Sequence, residues 1–499
     1  MATPVEQLRA QPGEVPRGEE PSREERAEQF RSRDPRRPLP PPRDITPRNT
    51  YPRPWLGGKW TLRDIVDYEL TATYGLLEAV ANNRHLLVRN FYRLNRKQID
   101  LGNREAPYAY VVSRRQHDPP VAARMLQILE ELGVEVHQAA ESFAAGGKEY
   151  PAGSHVILMA QPFRAFAKDL LEKQSYPPQR SSPGGPVERP YDLTGWTLPY
   201  QMGVEVVEVA KRFDAKLELL KSIPIPPGRF EPGSGKTIAG YEIGNNANNT
   251  AIAVNRLLKA GHEVAWVAAP GGGIFVRFKP GLAGTLEEWT RQLGIDAKAL
   301  AAPPAEPLRK LRPARLALYK PWSPNMDEGW TRWLLEQYEF PYSSIRPTDV
   351  KAGKLNGRFD AIVLADQSKE SLVRGIDNEW TRPEHRGGLG AEGVAALKEF
   401  VRAGGTLLTL GNSSLLPIEE FPLPVKNVLK GLRGDQFSCP GSILRVFVDN
   451  SAPIGYGMRE EASAVFYNDL AFEPTAALGD TAVRAIAKYP AGCLVWPAQ

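Results

Sequence analysis

The feature that most limits how this chain can fold is a repeated alternation of short apolar runs with amphipathic segments, plainest between residues 108 and 136. Ala109 to Val112 is an apolar run of strand length. Val121, Met125, Ile128, Leu129 and Leu132 then recur at three- and four-residue intervals, the period of a helix with one buried face. Gly133 supplies a helix stop, and Val134 with Val136 begins the next strand. Strand, helix, strand is the βαβ unit from which parallel sheets are built. Ser154 to Met159 adds a further strand, and Pro162 opens a helix carrying Phe163, Phe166, Leu170 and Leu171.

The same order returns after a Pro/Gly-rich loop between Tyr176 and Pro190. Ile238 to Ile243 reads as a strand, Thr250 to Lys259 as a helix ending at Gly261, and Glu263 to Val267 as a strand. GVEV at Gly133 to Val136 and GHEV at Gly261 to Val264 occupy matching places. Residues 108–300 are therefore expected to form two α/β lobes related by a distant duplication, unless the same local physics produced both independently. Ala301 to Pro313 reads as a boundary. Beyond it, strands at Leu316 to Tyr319, Ala361 to Leu364 and Thr406 to Leu410 alternate with helices at Gly329 to Tyr338 and Glu392 to Ala403. The expected fold class is α/β, with several doubly wound parallel-sheet lobes, the last spanning 314–499.

Two segments precede the lobes. Residues 1–48 are dense in Pro, Arg and Glu and too poor in apolar groups to offset their ordering entropy, so a disordered tail is expected. PLPPP at Pro38 to Pro42 is read as a stiff part of that tail. Residues 49–107 read as a helical docking segment. Thr61 followed by Asp64 has capping-box spacing, and Leu62, Ile65, Val66, Leu70, Thr73, Leu77 and Val80 mark one helix face. Leu87, Phe91 and Leu94 mark a second, with Trp55 and Trp60 anchoring the entry. A packed helical pair with a basic solvated face outweighs a catalytic role for Asp64, Asp67 or Glu69.

Composition narrows the function. A net charge of +5 over 499 residues gives no argument for nucleic acid. No apolar run reaches the roughly 18 residues needed to cross a bilayer. Cys439 and Cys493 are the only cysteines, which permits one bridge and excludes a thiolate zinc site. The opening MATPVEQLRAQPGEVP lacks the basic start and apolar core of a secretory signal.

The run YPRPWLGGKWTLRDIVDYELTATYGLLEA from Tyr51 resembles a passage that follows the catalytic domain in bacterial zinc carboxypeptidases related to carboxypeptidase A. The resemblance continues through AYVVSRRQHDPPVAARMLQIL, YPAGSHVILMAQPFRAFAKDLLE and RPYDLTGWTLPYQMGVEV, and covers most of residues 50–499. It implies a peptide-hydrolysing context, zinc as that family's cofactor, a catalytic domain and a peptide substrate as partners, and export as the usual location. The order FDAIVLAD, helix, AGGTLLTLGNSS resembles the class I glutamine amidotransferase-like fold.

The chemistry that family needs is not found in these residues. A zinc carboxypeptidase uses His-x-x-Glu and a distant His to hold the metal. None of His85, His117, His137, His155, His262 and His385 has Glu three positions on. Ser413, in Gly411-Asn412-Ser413-Ser414-Leu415, follows a strand at the place of a nucleophile elbow, but Leu415 replaces the final glycine and no histidine follows. Gly233-Ser234-Gly235-Lys236-Thr237 lacks the first glycine of a phosphate loop, having Phe230 there. Gly271-Gly272-Gly273 reads as a turn, and Asp118 as a helix cap rather than a metal partner of His117. Trp322, Trp330 and Trp333, with Tyr319 and Tyr338, are read as core ahead of a groove for peptide or sugar. No catalytic, cofactor-binding or metal residue is assigned. The expectation is a non-catalytic accessory region of a carboxypeptidase-like protein, with an active metallocarboxypeptidase and a small-molecule or glycan-binding module as alternatives.

Overall fold

The computed structural model describes residues 41–489 apart from 43, 178, 181, 183–184, 186–187, 189, 191–192, 234–236, 434–435, 438, 440, 468 and 476–482. Most of the expected tail, Ser234 to Lys236 and Cys493 lie outside the described residues.

Helix α1 (Leu62–Asn82) begins at the expected capping box: the Asp64 carboxylate accepts the Thr61 amide at 2.7 Å, and the Thr61 hydroxyl oxygen accepts the Asp64 amide at 3.4 Å. Helix α2 (Arg84–Arg104) follows after Asn83. The two do not pack along their lengths, and no residue of α1 is buried. The expected packed pair is therefore corrected: the periodicity creates an apolar face, and nothing in the described chain covers it. Trp55, Trp60 and Tyr68 stack at the entry, with ring centroids 5.6 and 5.4 Å apart in sequence. Only the last turn of α2 is seated. Gly102 is buried there, and a Cβ at that position would lie 1.9 Å from the Met159 carbonyl oxygen, so the close crossing requires glycine.

Lobe 1 comprises β1 (Ala109–Val112), α3 (Pro119–Glu131), β2 (His137–Ala139), the hairpin β3 (Phe143–Ala145) and β4 (Lys148–Tyr150), β5 (His155–Leu158), α4 (Arg164–Leu171), α5 (Leu198–Met202), β6 (Val206–Val209) and β7 (Leu217–Leu219). Its sheet runs β6-β1-β5-β2-β7, with each neighbouring pair antiparallel. On one face Tyr110 and Ile157 pack with Met125 and Leu126 of α3 and with α4 and α5; the other carries Val111, Val156 and Val209 under Phe143 and Tyr150.

Lobe 2 comprises β8 (Phe230–Glu231), β9 (Gly240–Ile243), α6 (Thr250–Lys259), β10 (Val264–Val267), β11 (Ile274–Arg277), α7 (Leu282–Leu293), β12 (Ala297–Leu300) and β13 (Leu308–Lys310). Its sheet runs β13-β10-β11-β9-β12-β8. Matching β1, β2, β5, β6 and β7 to β9, β10, β11, β12 and β13 gives the same order twice. Helices α3 and α4 fall on α6 and α7. Each lobe is a split βαβ arrangement with an added edge strand, β7 or β13, and lobe 2 carries β8 at its other edge. The two sheets share this strand order, and the expected parallel sheets are corrected. First and second strands do run parallel, yet an antiparallel strand is inserted between them. The expected boundary at Ala301 to Pro313 also contains β13, which pairs with β10.

The third unit does form a parallel sheet. Strands β14 (Leu316–Tyr319), β15 (Tyr342–Ile345), β16 (Ala361–Leu364) and β17 (Thr406–Thr409) alternate with α8 (Met326–Gln337), α9 (Pro347–Lys351), α10 (Leu355–Arg358), α11 (Lys369–Arg374) and α12 (Gly390–Arg402), and α13 (Leu415–Glu420) follows. The order is β15-β14-β16-β17, all parallel. Antiparallel pairs then form between β18 (Val425–Asn427) and β21 (Phe472–Pro474), and among β19 (Ser442–Val448), β20 (Glu461–Phe466) and β22 (Ala487–Lys488). This β-rich end was not expected of an α/β segment. It returns to lobe 1, where the Gly441 carbonyl accepts the amides of Thr194 and Gly195.

Gly102→Ala is expected to destabilise the chain by about 1–3 kcal/mol through overpacking against a backbone that cannot yield. Thermal unfolding would register the loss, and limited proteolysis would cut first where α2 meets lobe 1. Wild-type behaviour in both would show that the crossing is looser than the structure has it.

Candidate functional site

The two lobes meet through equivalent loops. Each follows a matched strand of its lobe, β1 or β9, and opens the helix after it: residues 113–118 lead into α3, residues 244–249 into α6. Asp118 caps α3 as expected, its Oδ1 accepting the Val121 amide at 3.1 Å. Its Oδ2 accepts the Asn248 amide of the other lobe at 2.8 Å, and Asn246 Nδ2 donates to the His117 carbonyl at 2.5 Å. Burial pushes the Asp118 carboxyl above its ordinary pKa, against the amides of Asn248 and Val121 and the charge of His117.

The tip of the β19–β20 hairpin closes this junction from a third side. His117 Nε2 lies 2.8 Å from the Gly457 carbonyl oxygen, Arg459 pairs with Glu205 at 2.6 Å, and the Tyr456 and Trp266 rings meet edge-on at 5.6 Å. A Cβ on Gly457 would lie 2.0 Å from the Asn245 carbonyl oxygen, and φ there is +81°, so the tip passes on glycine alone. Around these contacts is an open cavity of about 1210 Å³. Its wall combines asparagine amides (Asn245, Asn246, Asn248, Asn255), aromatic surface from Trp266 and Tyr456, and the cations Lys148 and Lys173. Asn245 Nδ2 and Trp266 Nε1 are buried there without hydrogen-bond partners.

At the carboxyl ends of β14 and β16 the parallel sheet changes winding direction, the place where open α/β folds put ligands. Here the polar groups are engaged with one another. Asn325 caps α8 and donates to the Asp366 carbonyl at 3.0 Å; Asp366 Oδ1 accepts the Asn412 amide at 2.8 Å. Burial, together with the charges of Asp366 and Asp469, pushes the Asp327 carboxyl above its ordinary pKa. Ser413 is fully buried, and its hydroxyl donates to the Ala365 carbonyl at 2.5 Å with the Gln367 carbonyl at 3.1 Å. It ties two strand ends together, and that geometry presents no nucleophile.

The histidines are dispersed. His137 pairs in register with Val156 and His155 with Gln138, which sends the two imidazoles to opposite faces of the lobe 1 sheet. Burial lowers the pKa of both. His385 stacks on Trp322 at 4.7 Å, and Arg346 covers that indole at 4.5 Å. Among the described residues no three His, Cys, Asp or Glu side chains gather as a metal site would require. Gly271 forms the expected turn, at φ +70°. The core reading of the tryptophans is corrected for two of them: Trp330 is 66% and Trp333 52% exposed on α8, their rings perpendicular at 6.1 Å. Sequence reasoning did not find the hairpin tip. Its only signal was the apolar run of Ser442–Val448, rich in β-branched and aromatic residues, which points to a strand and not to where the following loop goes.

Two outcomes are expected. Because the folded state raises the Asp118 pKa, it binds that proton more tightly than the unfolded chain does. The associated stability is present below the unfolded pKa and is lost as pH rises through the folded one. The thermal advantage of the parent over Asp118→Asn should therefore be largest at acid pH and shrink on the way to about pH 7; a difference constant with pH would contradict it. Ser413→Ala should cost about 1–2 kcal/mol by leaving two strand-end carbonyls without their donor. A serine-directed fluorophosphonate should fail to label the parent, and labelling lost in the variant would restore Ser413 as a nucleophile. No protein-family model, no curated protein and no solved structure matches the chain.

Proposed function

We propose that this chain is a non-catalytic accessory region of a peptide-hydrolysing protein of the zinc carboxypeptidase kind, and that the cavity between its two related lobes holds the body of a peptide. The observation that carries the reading is the chemistry of the cavity wall. Two buried, unpartnered donors, Asn245 Nδ2 and Trp266 Nε1, suit backbone carbonyls of an extended chain, while the Asn246 and Asn255 amides are held by the His117 and Tyr338 carbonyls. Lys148 and Lys173, in a wall that also carries Asp118, Glu205 and Glu461, would receive acidic side chains. In this reading the parallel unit from β14 to β17 is an amidotransferase-like framework with Ser413 as a structural hydroxyl. Zinc and the hydrolytic step belong to the catalytic domain.

A second reading has its own observation. Trp330 and Trp333, exposed one helical turn apart on α8, form an aromatic surface suited to stacking against a sugar ring. That reading makes the chain a glycan-binding module, with the tryptophans and not the asparagines as its contacts.

The test is titration of the purified chain with an acidic peptide library and with soluble oligosaccharides. Zinc content and carboxyl-terminal peptide hydrolysis are measured on the same sample. Acidic peptides should bind without being cleaved, and Asn245→Ala with Asn246→Ala should weaken them roughly tenfold, the equivalent of about 1.4 kcal/mol. Binding of sugars, lost on Trp330→Ala, would transfer the function to α8. Stoichiometric zinc with turnover would overturn the accessory reading.

A further inference from the structure

The bonds around Asp366 account for one side of the carboxyl edge of the parallel sheet. The other side, at the ends of β14 and β15, holds donors that nothing in the described chain uses. Tyr319 closes β14 and is 2% exposed, yet its hydroxyl has no hydrogen-bond partner. Just beyond it, Trp322 Nε1 is buried and equally unpartnered. Arg346, the residue after β15, lays its guanidinium 4.5 Å from the centre of the Trp322 ring and donates to the Pro321 carbonyl at 2.7 Å. The oxygens of nearby Asp349 are taken by the Arg346 backbone amide at 2.8 Å and by Arg358 at 3.9 Å, not by the Arg346 side chain. Burial raises the Tyr319 phenol above its ordinary pKa and the charge of Arg346 opposes that rise, with no carboxylate in the balance, so the hydroxyl keeps its proton.

An indole N–H and a guanidinium offer donors alone, so what satisfies them is an acceptor, and the cation makes a negatively charged one the better fit. The planar fork of arginine matches the oxygens of a carboxylate or phosphate, and stacking on an aromatic ring leaves that fork in place. Buried polar groups left without partners are costly, and a native chain that keeps two beside one cation calls for a reason. Their position supplies one, since open α/β sheets bind ligands at this edge.

A loop lies over the indole. Residues 377–386, between α11 and α12, include no buried residue. The base of the loop is pinched: the Gly387 amide bonds the Ile376 carbonyl at 2.6 Å, and a Cβ on Gly375 would lie 2.3 Å from the Gly387 carbonyl carbon. Within the loop Arg386 donates to the Glu379 and Thr381 carbonyls, both at 2.6 Å, and the His385 ring rests on Trp322 at 4.7 Å. A compact loop bonded within itself can lift without unfolding, and loops of this kind are frequently functional.

We propose that Tyr319, Trp322 and Arg346 form a binding site for the oxyanion of a small ligand, a carboxylate or a phosphate, covered by the loop that carries His385. The Trp322 N–H and the Tyr319 hydroxyl donate to the oxyanion, Arg346 neutralises it, and His385 leaves the indole as the ligand enters. The site belongs to the third unit and does not depend on what the cavity between the lobes binds.

The indole N–H resonances of the isotope-labelled full chain test it, with the Trp322 signal assigned by its loss in Trp322→Phe. Inorganic phosphate and succinate are titrated separately, and at least one should shift the Trp322 resonance and saturate it with a Kd on the order of 1 mM or tighter. Saturation by phosphate alone identifies a phosphoryl group as the ligand's anchor, and by succinate alone a carboxylate. Tyr319→Phe removes only the buried hydroxyl. It should weaken binding about tenfold without lowering the melting temperature, which separates a ligand contact from a structural bond. Arg346→Gln should abolish the shift, and His385→Ala should tighten binding severalfold, because the loop no longer competes for the indole. No shift with either anion, a shift that survives Arg346→Gln, or a Tyr319→Phe chain that melts lower and binds as the parent does would overturn the proposal.

Discussion

Asp118 is the constraint on which the arrangement of the lobes depends. One carboxylate caps α3 through the Val121 amide and holds lobe 2 through the Asn248 amide, so folding of the first helix and docking of the second lobe share a single group. It cannot move to suit one bond without loosening the other. Because Asp118 and Asn248 occupy equivalent loops of repeated lobes, the junction has local pseudo-symmetry, and the cavity forms where the two helix starts face each other. Free amides at helix starts make such a place suited to acceptors and to negative charge. The carboxylate of Asp118 uses part of that capacity.

The hairpin tip changes what the junction is able to hold. Tyr456, Gly457 and Arg459 reach it from residues that come more than 180 positions after the end of α6. Gly457 allows the approach by lacking a side chain, and the contact leaves Asn245 Nδ2 and Trp266 Nε1 unsatisfied. Buried donors without partners are costly, so a tip that seals the site on such terms is a poorer occupant than a chain bringing carbonyls to both groups. The third unit contributes differently. Asn255 Nδ2 donates to the Tyr338 carbonyl and Arg256 pairs with Glu339 at 2.7 Å, which fixes the parallel sheet to α6 and directs the end of α8 toward the same cavity.

Much of the local structure was legible and much of its assembly was not. Ala109–Val112, Thr250–Lys259, Leu316–Tyr319 and Ala361–Leu364 follow from apolar period and stop signals, and the Thr61 and Asp118 caps from side chains that can bond the first-turn amides. Strand direction did not follow, because a run such as His155–Leu158 carries the same apolar period whether its neighbours run with it or against it. The second bond of Asp118 was likewise invisible, since it joins positions 130 apart. Trp330 and Trp333 were misplaced for a related reason: aromatic composition favours burial on average, but α8 buries only Glu328, and the helix turns its indoles to solvent. Ser413 was read as a polar loop residue from the missing glycine at Leu415, and its hydroxyl is bound to the strand ends.

The arm shows the limit most sharply. A helical apolar period establishes that some surface must cover the face, but it carries no information about whose surface that is.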